Sequence, residues 1–438
     1  MRISIFGMGY VGAVSGACLA RRGHHVVGVD LSPTKVDLIN AGKSPIVEEG
    51  MAELMQEVTS SGRFSAGADA ESAVRDTDVS FVSVGTPSAS NGSLSLRAVE
   101  GVSRDIGRAL KGKKGRHVVV YRSTILPGTT EDLVIPILEA ESGRKLGDDL
   151  EVCFNPEFLR EGSSIRDFYD PPFTVVGTGA ADAPPEMREI YEGIDADFVV
   201  CPIRVAESVK YLCNMYHAVK VSFANEAGSL LADVGVDARE VMEIFCKDEQ
   251  LNISTAYLRP GFAFGGSCLP KDMRAFLHLA KTRDVVLPML EHVLPGNEVH
   301  IDRALRMVTD LGVRRIAMFG LAFKGGTDDL RESAMVALAE RMIGKGFDLR
   351  IYDAHVNTAR LTGANKEFIE KEIPHIDRLL QSDVAATLEG AEAIVIANAS
   401  RDVIGAIQAA APALPIVDLQ GADALAGIPG ASYRGICW

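Results

Sequence analysis

The run Gly7-Met8-Gly9-Tyr10-Val11-Gly12 limits what this chain can fold into more than any other feature. It follows the short apolar stretch Arg2–Phe6 and leads into a helix-forming stretch, Ala13–Arg22, that Gly23 ends. A second apolar stretch, Val26–Val29, closes on Asp30. Strand, glycine turn, helix, strand and terminal carboxylate in this order specify a βαβ unit that takes a dinucleotide. The first glycine permits the tight turn, the second lets the backbone approach a pyrophosphate, and the third lets helix and strand pack closely. The helix N-terminus offers free N–H groups and a partial positive charge to phosphate. Asp30 is placed to accept hydrogen bonds from the adenosine ribose and to repel a 2′-phosphate. At ~4 Å and an effective dielectric near ~20, one unit of like charge costs roughly 4 kcal/mol. The expected cofactor is therefore NAD rather than NADP.

A chain of 438 residues exceeds what one core usually holds. Further buried-strand candidates are Val79–Val84, His117–Tyr121, Glu151–Phe154 and Thr174–Val176, with helical stretches between most of them. That alternation is the rhythm of a parallel sheet covered on both faces. From Val205 to Val234 the pattern becomes one long helical period without proline, followed by helical pieces at Ala238–Phe245, after Pro270, and at Val293–Leu311. The opening pattern then returns. RRIAMFGLAFKGGTDD repeats the strand-to-glycine-turn step, and GKGFDLRIYD repeats RRGHHVVGVD, with Gly346 and Asp353 in the places of Gly23 and Asp30. About ten extra residues separate the two halves of this second copy. Ala393–Ala397 and Ile416–Leu419 supply further strands. The expected fold is α/β: two Rossmann-like, doubly wound parallel-sheet domains joined by a helical centre with a long spine helix. The expected boundaries are 1–202, 203–300 and 301–438.

The net charge of −14 argues against general nucleic-acid binding, which needs a basic face. Seven cysteines without a CxxC pair, and nine histidines without HExxH spacing, fit a reducing compartment and give no metal site. Gly7 and Gly9 interrupt the first apolar run too early for a signal peptide, and no apolar stretch reaches the ~18 residues a membrane helix needs. A cytoplasmic protein is expected.

Four segments carry chemistry. Val84-Gly85-Thr86-Pro87 and Arg122-Ser123-Thr124 lie at strand carboxyl ends, where open α/β sheets bind ligands, so Thr86 and Thr124 are candidates to touch cofactor or substrate or, equally, to cap a turn. In GFAFGGSCLPKD, glycines give a close-approach loop and Pro270 suits the first turn of a helix. Cys268 then precedes a helix N-terminus and lies near Lys271; both favour thiolate over thiol. Asp272 is close enough in sequence for proton transfer. The other six cysteines sit mostly in apolar runs and read as buried packing. On the long helix, Lys210, Asn214, His217 and Asn225 share one face at ~100° per residue. There Lys210 is suited to stabilise an alkoxide or oxyanion, with Asn214 assisting. A thiolate beside NAD suits oxidation of an alcohol to an aldehyde, capture as a hemithioacetal, a second oxidation to a thioester, and release of an acid by water.

GMGYVG, VGTP, RSTILPGT, NPEFLREG, VAESVKY, FANE, GFAFGGSCLPKD and GLAFKGGTDDLRES together resemble the UDP-glucose/GDP-mannose dehydrogenase family along essentially the whole chain. The resemblance implies NAD-dependent, four-electron oxidation of the C6 alcohol of a nucleotide sugar. His217, within NMYHAVKVSFANE, and the terminal GICW place the resemblance on the GDP-mannose side, with GDP-mannuronate for alginate as the implied product. It implies Cys268 as nucleophile, Lys210 and Asn214 polarising the reacting oxygen, Asp272 in proton transfer, and Glu161 with Thr124 placing the hydrolytic water. Gly7, Gly9, Tyr10, Val11, Gly12, Asp30, Lys35, Thr86, Thr124, Lys271 and Arg331 fall at cofactor positions. Glu161, Lys210, Asn214, His217, Asn225, Tyr257, Arg259, Phe262, Gly265 and Lys324 fall at substrate positions. One departure is Ala256 before Tyr257, where GDP-mannose enzymes tend to carry two adjacent aromatics; it reduces a stacking surface. The resemblance also implies a homodimer through the helical centre. Lys210, Arg259, Lys271, Lys324 and Arg331 would concentrate positive potential at two pyrophosphates inside an acidic protein.

Three other readings use the same features. UDP-glucose as substrate keeps the chemistry. A one-step β-hydroxyacid dehydrogenase has no need of Cys268, and a non-catalytic binding protein has no need of Lys210, Cys268 and Asp272 together.

Overall fold

The computed structural model describes residues 1–438 except 88–92, 161, 255–260, 267–268, 325–328, 357–362, 398, 411 and 438. The chain divides into two compact units, Met1–Ala218 and Val219–Trp438.

Among the described residues the first unit forms an eight-stranded sheet in the order β3-β2-β1-β4-β5-β6-β7-β8. The strands are β1 (Arg2–Phe6), β2 (His25–Val29), β3 (Phe64–Gly67), β4 (Val79–Val82), β5 (His117–Tyr121), β6 (Leu150–Phe154), β7 (Thr174–Thr178) and β8 (Phe198–Cys201). The central strands VSFV and HVVVY are buried at every position, which is why their sequences do not alternate. Every described pairing is parallel except β6 with β7. The order reverses beside β1, and Gly7 emerges at that switch point, where such sheets bind ligands.

In the second unit five parallel strands run β10-β9-β11-β12-β13. They are β9 (Arg315–Phe319), β10 (Asp348–Tyr352), β11 (Ala393–Ile396), β12 (Ile416–Asp418) and β13 (Tyr433–Gly435). Helices Ala238–Phe245, Leu269–Thr282 and Val293–Thr309 precede them. The long helix is Ile203–Asp233. Glu226, from its FANE segment, accepts the Met289 and Leu290 N–H groups at 2.7 and 3.0 Å, satisfying the start of the short helix Pro288–Glu291.

The expected strands form within a residue or two of their sequence limits. β3, β8 and β13 are additional: each has three or four residues and is only partly buried, so it lacks both a period and the continuous apolar run by which β4 and β11 are read. The cysteines depart from expectation at two places. Cys18 and Cys153 are buried, but Cys246 and Cys437 are exposed. Cys246 ends a helix and Cys437 adjoins the carboxyl terminus, and neither belongs to a packed face.

Candidate active site

The glycine turn opens on a cavity of about 560 Å³ lined by Gly7, Gly9, Val29, Asp30, Leu31, Lys35, the Ser83–Gly85 strand end and the helix Arg97–Gly112. Gly7 has φ +94°, a left-handed conformation that a side chain resists, and its N–H donates to the Val29 carbonyl at 2.8 Å. A Cβ on Gly12 would lie 1.9 Å from the Gly7 carbonyl oxygen, so the helix packs on the turn only without one. A Cβ on Gly9 would meet nothing within 4 Å; that space faces the cavity. The helix Tyr10–Arg21 has no side-chain cap and no acidic residue in its first turn, which leaves its N-terminal field available to an anion.

Asp30 accepts from the Met8 N–H at 2.8 Å, the Ser32 N–H at 2.9 Å and Lys35 at 3.0 Å. Burial works against its charge, but these donors outweigh it and hold the carboxyl below the ordinary range. An ionised acceptor, a glycine open to the solvent side and an uncapped helix fit the ribose and pyrophosphate of a dinucleotide. The volume also lies within the ~300–1,000 Å³ of small-ligand sites. Thr86 and Thr124 are brought together: the Thr86 hydroxyl donates to the Thr124 carbonyl at 2.9 Å.

The segments RST and NPEFLREG meet through their interior. Arg122 donates to Asn155 and, at 2.8 Å, to the Tyr191 hydroxyl, so both motifs begin as scaffold. Lys210 pairs with Glu157 at 2.8 Å, both largely buried, with its ammonium 5.6 Å from the centre of the Phe158 ring. Sequence reasoning left Glu157 and Arg160 without roles. Glu157 neutralises the candidate catalytic lysine. Arg160 makes a two-nitrogen contact with Asp167, which also accepts the Arg160 N–H at 2.9 Å. Asn214, His217 and Asn225 are on the long helix and exposed.

In the second unit the helix Leu269–Thr282 begins at the residue after Cys268. The glycine loop before it is strapped down on both sides. Asn297 accepts the Phe264 N–H and donates to its carbonyl, at 2.9 and 2.8 Å. A Cβ on Gly265 would lie 2.3 Å from the Glu332 carbonyl oxygen. Phe262 packs against the core of this unit. Lys271 contacts Asp272 at 2.9 Å, and Arg331 contacts Asp329 at 2.7 Å. With Lys210 on Glu157, three of the five cations expected to concentrate positive potential already face a carboxylate. Lys324 is exposed. Glu161, Ala256, Tyr257, Arg259 and Cys268 lie outside the described residues.

The sheet order, the glycine turn and the ionised Asp30 define a dinucleotide-binding protein of the Rossmann type. The chain belongs to the UDP-glucose/GDP-mannose dehydrogenase family: residues 1–195 match its NAD binding domain, 204–299 its central domain and 317–421 its UDP binding domain. The cofactor is accordingly NAD. The chain is 49% identical over 438 residues to a GDP-mannose 6-dehydrogenase of Pseudomonas syringae pv. syringae, covering 100% of both. It is 35% identical over 406 residues to a UDP-glucose 6-dehydrogenase of Haloferax volcanii, covering 91% of each. A crystal structure of a ternary complex of GDP-mannose dehydrogenase from Pseudomonas aeruginosa is similar with a TM-score of 0.94 and 48% identity, covering 100% of both chains. A UDP-glucose dehydrogenase from Pyrobaculum islandicum gives a TM-score of 0.56 at 35% identity, covering 100% of this chain and 98% of that one. Among the described residues no helix is long and apolar enough to cross a membrane.

Proposed function

We propose that the chain oxidises the C6 alcohol of GDP-mannose to the carboxylate of GDP-mannuronate, with one water and two NAD consumed and two NADH and three protons released. The observation that carries this reading is 49% identity along the full length to GDP-mannose 6-dehydrogenases, in a chain that has Lys210, Asn214, Cys268 and Asp272. Bound NAD supplies the hydride acceptor for both oxidations. Lys210, oriented by Glu157 and assisted by Asn214, stabilises the negative oxygen that forms at each stage. The Cys268 sulfur adds to the aldehyde as a hemithioacetal and, after the second oxidation, holds the sugar as a thioester. Asp272 moves the proton, and Glu161 with Thr124 places the water that releases the acid. The nucleotide sugar is held by His217, Asn225, Tyr257, Arg259, Phe262, Gly265 and Lys324. Tyr10, Val11, Asp30, Lys35, Thr86, Lys271 and Arg331 hold the cofactor.

We further propose a homodimer through segment 203–300. Leu212, Met215 and Val219 are 61%, 52% and 51% exposed on the long helix, an apolar stripe that favours a covering surface. A cytoplasmic role in supplying alginate or a related exopolysaccharide accords with free cysteines and with a nucleotide-sugar substrate.

The test is to follow NADH with GDP-mannose and with UDP-glucose separately and to weigh the product. Two NADH per GDP-mannose, and a product with one more oxygen and two fewer hydrogens, are expected. A preference for UDP-glucose overturns the substrate, and one NADH per sugar overturns the reaction.

A further inference from the structure

The cofactor cavity has an end that the glycine turn and Asp30 leave unassigned. Gly7 and Gly9 serve the pyrophosphate, and Asp30 with Lys35 the adenosine ribose. The base is bonded to that ribose, so it falls to the lining that remains. Leu31 follows β2, and Ala68 and Ala70 follow β3. Ala98, Gly101 and Val102 come from the helix Arg97–Gly112. These side chains are apolar or, at Gly101, absent, which suits the faces of a flat ring. Leu31 is 90% exposed, so a ring has apolar surface to cover there. A Cβ on Gly101 would meet nothing within 4 Å, so the helix offers the ring open space.

Apolar walls hold a purine without telling one purine from another. Two polar side chains complete this end of the cavity, Arg97 and Asp105. Offsets of 3, 4 and 7 from Ala98 put Gly101, Val102 and Asp105 on one face of the helix, with Asp105 ~10 Å along its axis. The carboxylate therefore stands at the far end of the small-residue floor. Its contact with Arg108, at 3.7 Å between side chains half exposed or more, is too long for a hydrogen bond and leaves its oxygens able to accept. Asp69, between Ala68 and Ala70 in sequence, does not line the cavity, and its carboxylate caps the helix Ala70–Arg75. The ring nitrogens of adenine accept, and its 6-amino group donates. Arg97 has only donors, so it serves features that other purines share. A carboxylate accepts, and hypoxanthine carries an oxygen in place of the amino group, which sets acceptor against acceptor.

We propose that Asp105 is a specificity-determining residue for the cofactor: it accepts a hydrogen bond from the adenine 6-amino group, while Arg97 holds the ring by features common to purines. This role concerns NAD alone and is independent of which sugar is oxidised. The adenosine end of the cavity then divides its work. Asp30 reads the ribose hydroxyls, the face of the helix Arg97–Gly112 supplies surface, and Asp105 reads the base.

The experiment titrates NAD and nicotinamide hypoxanthine dinucleotide into the full-length parent, D105A, D105N and R97A, with binding read by calorimetry. The parent should bind NAD ~10-fold more tightly than the hypoxanthine dinucleotide, the low end for a hydrogen bond to a charged group, as befits an exposed edge. D105A should bring that ratio near one by weakening NAD. D105N should lower it too, because its amide N–H can donate to the hypoxanthine oxygen. R97A should weaken both dinucleotides by a similar factor and keep the ratio. Asp105 is exposed, so Tm should hold in its variants; if D105A fails to fold, D105N decides. A parent that binds the two dinucleotides alike, or a folded Asp105 variant that keeps the parental ratio, overturns the role of Asp105. A ratio lost in R97A and kept in D105A moves the discrimination to Arg97 and overturns it as well.

Discussion

Gly7 and Gly320 open the same turn in the two halves of the molecule. Their φ angles are +94° and +90°, and their N–H groups donate to Val29 and Tyr352 at 2.8 and 2.9 Å. Asp30 accepts the Met8 N–H; Asp353 accepts those of Leu321 and Ala322. What a ligand would meet is different. The first turn opens on about 560 Å³, the second on about 10 Å³, no more than room for a water. Tyr352 stands where the first copy has Val29, and Ala322 where it has Gly9. The first helix starts at Tyr10 with no side-chain cap, directly after the turn. Among the described residues the second starts at Ala334, and its own Ser333 hydroxyl caps it by accepting the Met335 N–H. The glycine turn with its carboxylate is therefore a folding device. An anion site also needs an uncapped helix end and open space beside it.

The largest effect should come from closing each turn. Gly12→Ala drives a Cβ into the Gly7 carbonyl and should abolish NAD binding as read by calorimetry. Gly320→Ala places one 1.6 Å from the Ala397 carbonyl oxygen, and should cost on the order of 3 kcal/mol or more in stability while weakening NAD far less. Next in size, Gly9→Ala meets no protein atom and should leave Tm unchanged, yet weaken NAD by ~10–100-fold by occupying the pyrophosphate approach; the reverse change, Ala322→Gly, should gain no NAD binding. Equal Tm losses at both positions would break the comparison. Asp30→Asn should weaken NAD by about tenfold and relax the rejection of NADP, most of whose cost is the roughly 4 kcal/mol of charge repulsion. Asp353→Asn should cost ~1–3 kcal/mol of stability, through a weaker acceptor for two N–H groups, and leave the NAD/NADP ratio alone.

The smallest effect is one of pH. Asp30 is held below its ordinary value of 3.8, and Asp167, mainly through Arg160, at about 2. Carboxyls with lowered folded values stabilise above the unfolded value and lose that contribution as pH falls through the folded one. The first unit should thus lose stability between about pH 4 and pH 2, and Asp167→Asn should flatten that limb of a Tm-against-pH curve.

The first turn was legible because every part of it lies within thirty consecutive residues: β1, the three glycines, the helix and Asp30. The repeat in the second unit was legible for the same reason, and so was its defect, since Tyr352 and Ala322 can be read against Val29 and Gly9. The long helix and Glu157 illustrate the limit. A 31-residue helix announces itself by period, but nothing in sequence joins Glu157 to Lys210 across 53 positions. Glu48 was hidden more deeply: its carboxylate accepts the Tyr10 hydroxyl and the Gly162 and Ser164 N–H groups, and its own sequence neighbours form no motif. Arg122 and Asn155 stood in motifs that chemistry seemed to own, and their work is packing: burial forces them to satisfy each other.

The most direct test of the account is a search for the sugar on Cys268 itself. The enzyme is quenched during turnover of GDP-mannose and the residue 268 peptide is weighed. The account predicts an acyl adduct that disappears as GDP-mannuronate forms, and no acid from Cys268→Ser. Acid made at the parental rate by that variant, with no adduct in the parent, would contradict it.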